Sequence, residues 1–152
     1  MKALRFTAAY AALTAAHEVA DYWVQRDTDA VAKGRPGPEG AAACARHVAG
    51  YTAVQAAALA AVSAHLGIRY SWRHAAAGLA VSALTHYAAD RSAGRWNTTG
   101  PDAPAVARLA HRAGKGTWLT RDPGAGPLMD QAWHKGWILI AAAVAAAGPV
   151  PS

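Results

Sequence analysis

The chain has 152 residues, a length that fits one domain, and 53% of them are hydrophobic, but Phe occurs once and Met twice and alanine supplies most of that fraction. Alanine favours helix over strand, and no stretch shows the β-branched and aromatic alternation of a sheet, so an all-α architecture is expected over all-β or α/β. Charged residues make up 16% against about 25% in typical domains, the net charge is +6, and the single cysteine, Cys44, excludes an internal disulfide framework and any cysteine-only metal site. The positive charge suits an anionic partner. Nucleic acid is not expected, because there is no finger spacing, no base-reading basic helix and no aromatic strand platform.

The first expected helix runs from about Leu4 to Val31. Lys2 and Arg5 ahead of Phe6 to Ala16 have the look of a secretory signal with Thr14-Ala15-Ala16 as its cleavage site, but the helical pattern continues through His17, Asp21 and Trp23, which keeps the segment in the fold. Gly34-Arg35-Pro36-Gly37-Pro38 ends it. A second helix spans about Ala41 to Leu66 and stops at Gly67; from Val48 onward it carries no charge and is apolar all round, as in a buried or lipid-facing helix. A third covers about Trp72 to Ser92, and a fourth about Pro127 to Ala147, closed by Gly148-Pro149. Between them, residues 94–126 read as a long basic loop with at most a short helix at Ala103 to Ala113.

These elements predict a single helical domain over 1–152, an up-and-down four-helix bundle that is transmembrane, with a soluble Ala-rich bundle as the alternative. Most Lys and Arg lie in the loops Arg26 to Arg46 and Arg91 to Arg121. The positive-inside rule then puts those loops at the cytoplasmic face of a multi-pass protein of the cell membrane, with membrane lipid as a partner. Trp23, Trp72, Trp96, Trp118, Trp133 and Trp137 fall mostly at helix ends or in flanking loops, where an interfacial belt or ordinary packing explains them; His65, His74 and His111 match no spacing.

The remaining ionisable residues follow a pattern: His17-x-x-x-Asp21-x-x-x-Gln25, then His47, then His86-x-x-x-Asp90, then Asp130-Gln131-x-x-His134. Residues four apart share a helix face about 6 Å apart, so each pair aims an imidazole and a carboxylate at one point. With antiparallel neighbours, all of these residues fall in one layer at one end of the bundle. Imidazoles and carboxylates projecting inward suit Zn²⁺, Mn²⁺ or non-haem iron, and His17, Asp21, His47, His86, Asp90, Asp130 and His134 are the candidate ligands; Gln25 and Gln131 would orient them. A fully paired His–Asp hydrogen-bond network would satisfy the same groups.

The four blocks, occurring in this order with Tyr51 after His47 and with His86-Tyr87 opening the third, resemble the domain of unknown function 3307 family of small bacterial membrane proteins, over most of the chain from Leu13 to about Ile140. The helices here are richer in alanine than is usual in that family, and the third loop is longer and more basic. The family is similar in style to predicted membrane-bound metal-dependent hydrolases, although its own activity is unknown. Two functions remain in view. In a metal-dependent hydrolase, one of Asp21, Asp90 or Asp130 acts as general base toward a metal-bound water, and Arg91, Arg95, Arg108, Arg112 and Lys115 hold an anionic substrate such as a lipid head group. In a non-catalytic membrane accessory protein, the His–Asp layer is a structural metal site or a hydrogen-bonded clamp.

Overall fold

The computed structural model describes residues 2–149; the ends of the expected domain, Met1 and residues 150–152, lie outside the described residues. Every regular element among the described residues is helical. Helix α1 (Lys2–Val19) widens into a π turn at Ala20–Val24 and ends at Gln25, whose ψ of 133° is extended. The chain then turns into α2 (Asp27–Ala32), which carries Asp27 and Asp29 in its first turn, where the helix dipole favours acids. The single helix expected to run to Val31 is therefore broken. The break lets α2 fold back on α3, where Asp29 is buried against Arg46.

Helix α3 (Gly37–Leu66) starts with a proline in its first turn, where no amide donor is needed, and ends at Gly67, whose φ of 63° is the left-handed cap that favours glycine. Helix α4 covers Trp72–Asp90 and α7 covers Ala125–Ala146. Between them, α5 (Ala105–Ala110), a π turn (His111–Lys115) and α6 (Gly116–Arg121) occupy much of the expected basic loop. They fold because Val106, Ala107, Ala110 and Leu119 close over Trp96 and Ala125 as a small core of their own. The larger core joins Ala9 and Leu13 of α1, Leu59 of α3, and Ile138, Ala141 and Ala142 of α7. Helix α1 packs on α3 and α7, and α4 packs on α3 and α7.

No helix among the described residues is long and apolar enough to cross a membrane. This overturns the transmembrane, multi-pass reading, and with it the assignment of the polar layer to the cytoplasmic face of a cell membrane. The cause lies in composition: each alanine adds one methyl group where Leu or Ile adds a branched chain, and Tyr51, Gln55, Ser63 and His65 interrupt the longest uncharged stretch. The helical pattern that suggested spans is satisfied instead by close packing of small side chains. Gly78 shows this, since a methyl group there would lie 2.5 Å from the Ala141 carbonyl oxygen.

Candidate metal centre

Each ionisable residue of the pattern is delivered by one of the long helices or by the π turn that extends α1. His17 comes from the last turn of α1 and Asp21 from the π turn that extends it, His47 from α3, His86 and Asp90 from the carboxyl end of α4, and Asp130 and His134 from the amino end of α7. The structure brings all seven together, between the larger core and the cluster around Trp96. Along α7 this order is explicit: Met129 and Trp133 pack on the small cluster, His134 faces the site, and Ile138 lies in the larger core. Burial is deep, with His17 at 0%, His86 and Asp90 at 1% and His134 at 2% exposure.

Carboxylate oxygens from two helices flank a pair of imidazoles. The Nε2 atoms of His47 and His86 are 2.9 Å apart. Asp90 Oδ2 lies 3.2 Å from each of them, and Asp21 Oδ1 lies 3.4 Å from His47 Nε2 and 3.5 Å from His86 Nε2. A tetrahedron of ligands about 2.0–2.1 Å from a zinc-like ion has edges of about 3.3–3.4 Å, so the His47, His86 and Asp90 atoms are spaced like three corners of such a cage, with Asp21 Oδ1 beside both imidazoles. Protons alone serve the arrangement poorly. One N–H between the two imidazoles is spent on the other nitrogen's lone pair and leaves the two carboxylates without a directed donor, while two N–H groups would point at each other across 2.9 Å. Among the described residues, Asp21 Oδ1 and both Asp90 oxygens are buried without a hydrogen-bond partner. A divalent cation attracts all four atoms at once.

The titration behaviour agrees with a strongly coupled polar layer. Burial pushes the His86 imidazole down to about 4, more than Asp90 can restore, and burial likewise lowers His17 against the pull of Asp21. For His47 the burial penalty is outweighed by the carboxylates of Asp21 and Asp90 beside its Nε2, which raise it. Asp90 would be raised by burial, but His47, His86 and Lys33 hold it well below the usual carboxylate range, and Asp21 is lowered by His47, His86 and His17 in the same way.

The other residues surround this cage. His17 Nδ1 is 3.5 Å from Asp21 Oδ2 and its Nε2 is 3.3 Å from Gln131 Oε1. With the Gln131 amide turned to donate to Nε2, the Nδ1–H points at Asp21. His134 stacks on His86 with ring centres 4.1 Å apart, and its Nε2 is 3.2 Å from Asp130 Oδ2 and 3.8 Å from Asp90 Oδ1. A cavity of about 430 Å³ reaches His47, Gln25 and Tyr51, and a second of about 270 Å³ reaches Asp21, Gln25, Asp130 and Gln131.

Several contributors were not visible in the sequence pattern. Lys33 Nζ is 3.0 Å from Asp90 Oδ1, yet the contact lacks hydrogen-bond geometry. Beneath the cage, Gln55 donates to Tyr51 Oη at 2.8 Å, Tyr51 Oη and Ser82 Oγ are 2.7 Å apart, and the Tyr51 ring stacks on His86. Tyr51 and Gln55 share a face of α3 with His47 at four-residue spacing, a signal that could have been followed further. The basic residues expected to hold a substrate are mostly occupied: Arg91 donates to the carbonyls of Lys33 and Arg35, Arg95 to Gly34 and Asp102, and Arg108 to Ala103. Cys44 is buried, and burial pushes its thiol up to about 12, so it acts as a small apolar residue.

No protein-family model matches the chain, and neither a curated protein nor a solved structure shows significant similarity to it.

Proposed function

We propose that this chain is a metal-dependent hydrolase of the kind its resemblance to the domain of unknown function 3307 family implies, built on an up-and-down bundle of α1, α3, α4 and α7. The reading rests on one observation: donor atoms of His47, His86 and Asp90 stand 2.9–3.2 Å apart, and Asp21 Oδ1 lies 3.4–3.5 Å from both imidazole nitrogens, a donor set suited to Zn²⁺, Mn²⁺ or Fe²⁺. A bound divalent ion would polarise a substrate oxygen and acidify a water. His17 holds Asp21 in orientation, and Gln131 fixes the His17 ring. Asp130 lines the smaller cavity and its Oδ1 is without a hydrogen-bond partner among the described residues, which suits it to accept a proton from a water held there. Lys33, at the same cavity, would meet an acidic group on the substrate.

A second reading, a structural clamp, is favoured by one feature of the site: beside the His47, His86 and Asp90 donors, Asp21 Oδ1 lies 3.4–3.5 Å from both imidazole nitrogens and offers a fourth protein ligand, and structural sites are closed by protein in this way. Elemental analysis of purified protein, beside His86→Ala and Asp90→Asn, tests the shared premise. The expected result is at least one equivalent of Zn, Mn or Fe in the wild type and little in either variant. Hydrolysis of a panel of chromogenic esters and phosphoesters that stops on EDTA treatment and returns with metal supports the enzyme. Metal without any turnover supports the clamp, and protein that binds no added metal ends both metal readings.

A further inference from the structure

We infer that the centre takes a second divalent ion, held by Asp130, His134 and the remaining oxygen of Asp90, so that the Asp90 carboxylate bridges two ions. This rests on the metal reading above. The first cage uses Asp90 Oδ2 and leaves Oδ1 directed elsewhere. That oxygen is 3.8 Å from His134 Nε2, which is 3.2 Å from Asp130 Oδ2, and one donor atom from each of the three residues lies within 4.8 Å of the other two. Asp90 is 1% exposed and His134 2%, and both Asp90 Oδ1 and His134 Nε2 are buried without hydrogen-bond partners among the described residues. Two unpartnered polar atoms on facing helices, aimed at the same space, cost several kcal/mol unless something joins them.

The two positions differ in kind. The first draws on His47, His86 and Asp90, with Asp21 Oδ1 beside both imidazoles as a fourth protein donor. The second has three, and its Asp130 lines the cavity of about 270 Å³, so a water or a substrate oxygen can complete it. Three protein ligands and an open position mark a catalytic ion, and two ions about 3.5–4 Å apart across a shared carboxylate form the two-metal arrangement that clamps both the attacking and the leaving oxygen. The substrate class that follows is an ester of an oxyacid, phosphate above all, whose oxygens can touch both ions. Asp130 coordinates through Oδ2 and keeps Oδ1 for the water.

Lys33 supplies an independent handle. Its ammonium lies 3.0 Å from Asp90 Oδ1 without a directed hydrogen bond, so it neutralises the oxygen that the second ion needs. The turn that carries it is pressed against α4, where Gly34 meets the Ala93 carbonyl too closely to admit a side chain and Arg91 binds the Lys33 carbonyl. The second ion must displace this charge. Lys33→Gln should therefore tighten the weaker site, by about tenfold for one unit charge removed from a partly screened position.

The experiment is titration of metal-stripped full-length protein with Mn²⁺, counting bound ions by elemental analysis and reading their coupling by electron paramagnetic resonance. The inference expects two ions in the wild type with the signature of exchange-coupled manganese, one uncoupled ion in Asp130→Asn and in His134→Gln, and a tighter second site in Lys33→Gln. One ion in the wild type, unchanged by Asp130→Asn, overturns the second site and leaves the first standing. Two ions without coupling overturn the Asp90 bridge. No ion bound to protein that is folded by circular dichroism removes the inference together with the metal reading beneath it.

Discussion

His86 and His47 share a contact, yet burial and carboxylates drive them in opposite directions, and this sets how the metal-free protein responds to pH. His86 takes a proton near 6.5 when unfolded but only at about 4 when folded, so the unfolded state binds more protons between those values and stability falls as pH drops through that window. Burial lowers His17 too, which adds loss in the same direction. His47 is raised, so its contribution is complete below 6.5 and is lost only as pH rises through its folded value. Asp90 and Asp21, both lowered, keep their stabilisation until the pH falls below about 3.8. In EDTA, stability should thus be greatest near pH 6.5–7 and decline by roughly 3 kcal/mol toward pH 4, a fall of several degrees in Tm. His86→Gln should flatten this slope. Thermal scans between pH 4 and 8 decide it, and a Tm that stays level from 6.5 to 4.5 contradicts the buried, neutral His86. At this scale much was legible, because His17/Asp21, His86/Asp90 and Asp130/His134 announce themselves by four-residue spacing. Lys33 was not, since its place beside Asp90 depends on a turn packed against the end of α4, which no local spacing encodes.

Between α4 and α7 the backbones approach so closely that Gly78 has no room for a methyl group: an added Cβ would lie 2.5 Å from the Ala141 carbonyl oxygen and 3.0 Å from the Ala145 Cβ. Two effects compete in Gly78→Ala. Helix propensity favours alanine by roughly 0.5–1 kcal/mol, whereas overpacking against a backbone that cannot rotate away costs about 1–3 kcal/mol. The clash wins. We expect a net loss of about 1–2 kcal/mol, read as a Tm lower by roughly 2–8 °C, and a Tm equal to or above that of the wild type would show that α4 and α7 are less tightly apposed. The same small-residue packing explains what periodicity missed. A run of alanines reads as helix but does not say what covers it, so the stretch from Val48 to Leu66 suited burial or lipid alike; Leu59 lies in the core beside α1 and α7, and no helix among the described residues is long and apolar enough to cross a membrane. The short helix expected at Ala103 to Ala113 is present as α5, but the break at Gln25 and helix α6 were hidden for a related reason. Both are fixed by distant contacts, Asp29 with Arg46 and Trp96 with Val106 and Leu119, which override local pattern.

For the molecule as a whole, the balance of forces means that the proposed ion would stabilise the fold as well as serve the chemistry. Most buried apolar residues are alanine, with Leu13, Leu59, Ile68, Val106, Leu119 and Ile138 as the larger aliphatic exceptions, so hydrophobic burial contributes less per residue than in a Leu-rich bundle. Into that small core the fold inserts three aspartates and four histidines, whose desolvation the hydrogen bonds among them only partly offset. The His47, His86, Asp90 and Asp21 donors join α3, α4 and the turn that extends α1, and the Asp130–His134 side brings in α7, so binding there tightens every long helix at once. Free metal at a hundred to a thousand times its Kd should add about 2.7–4.1 kcal/mol, which for a chain of this length raises Tm by roughly 5–15 °C. Leu59→Ala provides the contrast. It removes core packing twelve residues, about 18 Å, along α3 from His47 and should lower Tm with and without metal by a similar amount, about 2–5 kcal/mol in stability, leaving the metal-induced rise intact. Asp90→Asn should abolish that rise. Differential scanning calorimetry of the three proteins, each with EDTA and with Zn²⁺, separates the cases: a Zn²⁺-dependent rise that survives in Asp90→Asn would place the stabilising ion elsewhere, and its absence from the wild type would mean that the His–Asp layer is held by hydrogen bonds alone.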